Sequence, residues 1–241
     1  GKPVMLYEYR ESRSGDFLAK RFSEYNGYIQ SDGFSGYNHL ESIKTIKLAG
    51  CWAHARRKFY DAMKASRKKG SAGVAVKKIK SLYAIEKRAR ELKWPPEKLF
   101  EERQKNAVPV LNEFKQWLDA RLYTVPPQSL FGKAINYTLS LWDRLTIYVT
   151  DACIPIDNNS VERAIKPFVV GRKNWLFSDT PHGAYASSVF YTLIENAKAN
   201  GLEPYWYLRH LFERIIHAET EKDFRSLLPQ YICPDEIKGC I

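Results

Sequence analysis

The first 65 residues change hydrophobic period several times. Val4-Met5-Leu6-Tyr7-Glu8-Tyr9 is a strand-like run. Ser14 then stands as a helix N-cap ahead of Leu18, Phe22 and Tyr25, spaced i, i+4, i+7, and Asn26-Gly27 closes that helix. Tyr28-Ile29-Gln30-Ser31 is a short strand running into Asp32-Gly33, followed by a polar turn and a short helix around Tyr37 to Ser42. Thr45 to Cys51 predicts another strand, and Ala53 to Ala65 a basic amphipathic helix. Strand and helix alternating this closely predict an α/β layer architecture.

The pattern then turns helical. Lys64 to Val149 is interrupted at Gly70-Ser71, Trp94-Pro95-Pro96 and Val125-Pro126-Pro127, which predicts an all-α insertion. After Ile154-Pro155 a helix begins near Asn159, and Asn174-Trp175-Leu176-Phe177 is strand-like. Two further helices cover Ala184 to Asn200 and Pro204 to His217. Asn200-Gly201 caps the first, and Pro204 opens the second. There is no internal repeat.

Composition narrows the class. Apolar residues at 44% and aromatics at 14% exclude a disordered tail. No apolar run reaches the length of a membrane span, and Gly1-Lys2-Pro3-Val4 has no signal-peptide pattern. Cys51, Cys153, Cys233 and Cys240 form no Cys-x-x-Cys pair, so the expected compartment is a reducing cytoplasm. Cys51 with His54 is half a zinc pattern that lacks a second pair.

Charge adds a partner class. The chain carries +11, and Met63 to Ala107 holds fourteen Lys/Arg against five Glu, a net +9. Such a stretch suits the phosphates of nucleic acid, with Lys68, Lys69, Lys77 and Lys78 among its candidates. A solvated helical face would have the same composition.

Two places could carry chemistry. Asp32 lies at the C-terminal edge of a strand, where α/β sheets place ligands, and Gly33 and Gly36 leave space around it. An ordinary Asp-Gly turn reads the same way. Glu162 falls in the first turn of a helix, but Asn159-x-x-Glu162 also has capping-box spacing, and Lys166 is placed for an i, i+4 pair with Glu162.

Longer blocks decide between these readings. Gln30-Ser-Asp-Gly-Phe-Ser-Gly-Tyr-Asn38, Gly50-Cys-Trp-Ala-His-Ala-Arg-Arg-Lys-Phe59 and Ile156-Asp-Asn-Asn-Ser-Val-Glu-Arg-Ala-Ile-Lys-Pro167 occur in this order. Gly171-Arg-Lys-Asn-Trp-Leu-Phe177 and Leu193-Ile-Glu-Asn-Ala-Lys-Ala-Asn-Gly201 follow. Over essentially its whole length the chain resembles the transposases of insertion-sequence family sixty-six. That resemblance implies an RNase H-like core in two parts, residues 1–63 and 150–217. A helical insertion at 64–149 separates them, and a C-terminal tail follows at 218–241.

The resemblance also implies catalytic carboxylates ordered Asp, Asp, Glu, with Asp32 matching the second and Glu162 the third. The family's first Asp lies upstream of the segment matching Val4 to Tyr9, so the core is expected to lack its N-terminal strands. The fragment alone is then expected neither to cut nor to join DNA. In the complete enzyme two Mg²⁺ (or Mn²⁺) ions, about 4 Å apart, would serve an in-line displacement at phosphorus. Water attacks first, and the freed 3′-hydroxyl then attacks target DNA.

The partners implied are transposon ends and target DNA, with a homo-oligomer assembled on them and no membrane, in a bacterial cytoplasm. Arg56, Arg57, Arg163, Lys166, Arg172 and Lys173 are further candidates for DNA phosphates, and His54 for packing. Trp175 and Phe177 could stack on an unpaired base or, alternating in a strand, fill a core. Two other readings remain open at this point. One is a metal-dependent nuclease or resolvase on the same fold; the other is a basic DNA-binding fragment without catalysis.

Overall fold

A computed structural model describes residues 4–12, 14–66, 70–175 and 178–237. The protein is mostly helical, with a small parallel sheet of two strands, β1 (Gly27–Gln30) and β2 (Ile46–Ala49). Gly27 pairs with Ile46 and Gln30 with Ala49. The described chain falls into two compact units, residues 14–160 and residues 1–13 with 161–241.

The first unit opens with α1 (Asp16–Arg21), β1, a 3-10 turn over Ser35–Ser42, and β2. α2 (Trp52–Ala65) follows β2 directly. Its apolar residues recur at helical spacing, so Trp52, Ala55, Phe59 and Ala62 share a buried face. Against that face pack α3 (Ser71–Glu91), α5 (Val108–Leu122) and α6 (Leu130–Ser140). α4 (Pro96–Glu102) and a π-turn (Arg103–Ala107) join α3 to α5, and α7 (Trp142–Thr146) follows α6. Trp52 lies at ring-contact distance from Phe114 and Trp142, 6.2 and 6.0 Å between centroids. Its indole N–H donates to the Leu145 carbonyl at 2.8 Å. Each such fully buried aromatic contributes about 1.5–3 kcal/mol. The helices between Lys64 and Val149 therefore share one core with β2 and α2.

The second unit holds most of α8 (Asn159–Trp175), then α9 (Pro181–Ala199), α10 (Pro204–Ile215), α11 (Glu221–Ser226) and α12 (Pro234–Ile237). Ala197, Leu202, Tyr207, Leu211, Leu227, Ile232 and Ile237 form its core. Two local expectations hold here. Asn200 caps α9 with Gly201 in the left-handed region at φ 76°, and Pro204 takes the first turn of α10.

Two strand expectations do not hold. Val4 to Tyr9 joins no ladder; side chains of α9 take its backbone groups instead. Asn196 accepts from the Met5 N–H at 2.9 Å and donates to the Met5 carbonyl at 2.6 Å, while Thr192 Oγ1 accepts from Tyr7 N–H at 3.0 Å. Asn174 and Trp175 end α8 rather than form a strand, because the helix continues through Pro167. Phe177 lies outside the described residues. Among the described residues no helix is long and apolar enough to cross a membrane.

Candidate functional site

Asp32 follows β1 by two residues, at the strand's C-terminal end. Several contacts fix that end. Gln30 Nε2 donates to the carbonyls of Gly50 (3.1 Å) and Pro155 (2.8 Å), and Trp52 N–H donates to the Ile156 carbonyl at 3.1 Å. The loop itself turns on Gly33, at φ +85°. The backbone angle favours glycine, and a Cβ there would stand 2.8 Å from Leu141 Cδ1 and 2.9 Å from Tyr137 Oη, so those side-chain ends would have to shift.

The Asp32 carboxylate is exposed, and its Oδ1 accepts from the Phe34 N–H at 3.0 Å. Its backbone carbonyl accepts from the Tyr137 hydroxyl at 2.9 Å, so α6 clasps the loop from 105 residues away. Burial pushes the Tyr137 phenol up to about 12, with the charges of Cys51 and Asp32 adding to it. Burial, then the Asp32 charge, also raises Tyr37. Lys58 Nζ sits 4.5 Å from the centre of the Tyr137 ring.

The chain then returns to this region at 154–159. Cys51 is buried, its Sγ accepting from the Asn158 N–H at 3.5 Å, and burial raises its thiol above the ordinary range. The start of α8 is held by Asp157, whose two oxygens take the backbone N–H of Asn159 at 3.2 Å and its side-chain amide at 2.8 Å. The same carboxylate accepts from the Tyr83 hydroxyl at 2.8 Å, and burial followed by that bond pushes the Tyr83 phenol far up. Glu162 is half-buried in the first turn of α8.

The remaining candidates divide by environment. Arg56 and Arg57 are exposed on one face of α2 and line one cavity with Lys80 of α3. Lys77 is exposed, whereas Lys78 is paired with Glu113 at 3.0 Å. Lys68 and Lys69 lie outside the described residues. Arg163, Lys166, Arg172 and Lys173 are all exposed on α8. Within the basic stretch Arg103 is buried in an ion pair with Glu86, and Lys87 and Lys98 pair with Glu91 and Glu102, acids that the net +9 already subtracts.

Asp32 belongs to one unit and Glu162 to the other. Among the described residues no group of three or more His, Cys, Asp or Glu forms a cation site. Mg²⁺ commonly takes only one or two carboxylates, keeping waters and substrate phosphates as its other ligands. An exposed carboxylate at a strand end, with hard oxygens, fits that requirement.

Sequence reasoning missed Tyr83 and Tyr137; it named Asp157 only as a carboxylate that could complete the site, and Gln30 only as part of a strand and block. Only Asp157 had a local signal, an Asx acceptor two residues before a helix start.

The profile of the family described as Transposase IS66 family matches residues 1–186, and that of the IS66 C-terminal element matches residues 192–230. Two relatives from Sinorhizobium fredii (strain NBRC 101917 / NGR234) are similar along nearly the whole chain. Uncharacterized protein y4qI is 32% identical over 98% of this chain and 44% of its own length. Uncharacterized protein y4jD is 33% identical over 94% of this chain and 45% of its own length. The chain thus spans less than half the length of these curated relatives. No solved structure matches it.

Proposed function

The chain belongs to the IS66 family of transposases, and from that premise we propose that it is part of the catalytic region of a DNA transposase. In this reading Asp32 and Glu162 are carboxylates of a metal-dependent site that cuts and joins DNA strands at insertion-sequence ends. The observation that carries it is the family match across the chain, joined to the exposed carboxylate of Asp32 on a loop fixed by Gly33 and Tyr137.

The proposal includes an RNase H-like core. A parallel strand pair with the candidate acid at the C-terminal end of one strand supports it. Mg²⁺ or Mn²⁺, when bound, would stabilise charge on the phosphoryl oxygens and lower the pKa of the attacking hydroxyl. Asp32 and Glu162 would hold the cation, while Arg56, Arg57, Lys77, Arg163, Lys166, Arg172 and Lys173 would take DNA phosphates. Assembly of several copies on DNA ends belongs to the same proposal.

The test uses the longer protein on a labelled insertion-sequence end in Mg²⁺, with Asp32→Asn and Glu162→Gln. Both substitutions keep shape and remove charge. Loss of metal-held charge stabilisation worth several kcal/mol should slow cleavage about a thousandfold or more, while DNA affinity stays near the parent's. Cleavage by both variants at parental rate would sink the assignment. Cutting without joining in the parent protein would instead point to a nuclease or resolvase.

A further inference from the structure

α2 and α3 border an open cavity of about 530 Å³ on the unit of residues 14–160, and no residue of Asp32's loop lines it. Its wall carries Arg56, Arg57 and Tyr60 from α2, Lys80 and Tyr83 from α3, and Asn159. The spacing explains the convergence. Arg56, Arg57 and Tyr60 are i, i+1 and i+4 on one helix, and Lys80 and Tyr83 are i and i+3 on the next, so each set shares a face. The adjoining face of α2, with Trp52, Ala55 and Phe59, is fixed in the core. The two helices are thereby held rigid behind the cavity.

The charge is unbalanced. None of Arg56, Arg57 and Lys80 is in an ion pair among the described residues, although nine of the ten ion pairs found there use other Lys or Arg side chains. Asp157 accepts from two residues of this wall, the Tyr83 hydroxyl and the Asn159 side-chain amide. Three cations therefore line the cavity, and the Tyr83 hydroxyl is engaged by Asp157. The volume falls within the range of about 300–1,000 Å³ usual for small-ligand pockets, more than a lone phosphate fills.

We propose that this cavity binds one nucleotide of an unpaired DNA strand, its phosphate on Arg56, Arg57 and Lys80 and its nucleoside against Tyr60 and Tyr83. Guanidinium groups recognise phosphate through paired N–H donors, and aromatic walls accept any base. This deepens the transposase reading, because it gives that protein a grip on single-stranded DNA separate from the carboxylates.

The test uses the 241-residue chain and a fluorescent oligothymidylate, with a duplex of equal length beside it. Arg56→Gln/Lys80→Gln is compared with Lys20→Gln/Lys44→Gln, two exposed lysines outside the cavity. The cavity pair should weaken strand binding at least about tenfold and reduce the salt slope of log K by about 1.4, at about 0.7 per lost phosphate contact. The control pair should change both far less. Thymidine monophosphate should displace the strand more effectively than inorganic phosphate.

Equal losses from the two pairs, tighter binding to duplex than to strand, or equal competition by nucleotide and phosphate would each overturn the proposal. Melting temperatures of both pairs should match the parent; if the cavity pair melts lower, Arg57→Gln with Tyr60→Ala repeats the comparison. None of these outcomes depends on Asp32 or Glu162, so cleavage by the longer protein is judged separately.

Discussion

Replacing Glu86 by Gln should be among the most damaging isosteric changes in the unit of residues 14–160. Arg103 is 1% exposed and Glu86 8%, and the two form a two-pronged pair: Nε to Oε1 and Nη2 to Oε2, both at 2.9 Å. Arg103 Nη1 donates to the carbonyls of Tyr148 at 2.6 Å and Asp151 at 2.9 Å. The guanidinium thus ties α3 to the π-turn and to the segment after α7. Gln keeps one acceptor but leaves the buried cation uncompensated. Breaking such a pair costs about 3–5 kcal/mol, and the retained acceptor places Glu86→Gln near the lower end. Arg103→Met should cost more, because two buried carbonyls also lose their donor, each at about 1–3 kcal/mol. The double variant should cost less than the sum of the two. Urea unfolding followed by tryptophan fluorescence measures all three, since Trp52, Trp94, Trp117 and Trp142 lie in this unit. At about 2–4 °C per kcal/mol, Glu86→Gln should also lower the melting temperature by roughly 6–12 °C. A cost under about 1 kcal/mol, or strict additivity in the cycle, would refute the assignment of this pair as a structural tie.

Gly33→Ala should destabilise the same unit by about 1–3 kcal/mol, from the left-handed backbone alone, and should release Tyr137 from the Asp32 carbonyl; an unchanged urea midpoint would show that the loop does not need glycine. Alkaline pH should weaken the unit through Tyr137. Its phenol titrates near 12 when folded and near 10 when exposed, so its contribution is intact below pH 10 and lost as pH rises through 12. Tyr137→Phe should flatten the fall in urea midpoint between pH 10 and 12, and an identical fall in that variant would exclude this phenol as a cause.

What could be read in the sequence was what is decided locally. Gly201 supplies a left-handed cap and Pro204 a first turn whatever lies around them, so the boundary between α9 and α10 was legible. β1 and β2 were legible because each is a short run with aromatic or β-branched residues set between turn residues. The extended run at Val4 to Tyr9 has the same composition as a strand, but strand identity depends on a partner. Here Asn196 and Thr192, more than 180 residues away, are the partners. α8 ran past its expected end because Pro167 removes one N–H without removing the apolar contacts on either side. Phe168, for instance, packs on Tyr7 and Tyr191. Net charge counts Arg103 and Glu86 alike and stays the same when they pair, but it does not say which cation meets a buried carboxylate.

The Asp32 loop shows why half of a site can be legible and the other half not. Asp32-Gly33 after a strand announces itself by residue type and position. The hydroxyl that holds it comes from Tyr137, in a segment whose sequence pattern marks only helices and breaks. That contact changes what the helical segment is for. Tyr137 fixes the loop, Leu141 fills the space beside Gly33, and the Arg144 carbonyl accepts from the Gly50 N–H at 2.8 Å, next to the end of β2. Arg144 also reaches Asn38 at 2.8 Å and Glu41 in the turn between the strands. Residues 137–144 therefore brace the C-terminal ends of both strands, where the candidate carboxylate stands. The helical segment between Lys64 and Val149 thus forms one side of Asp32's surroundings, and a change in α6 or α7 reaches that carboxylate by direct contact.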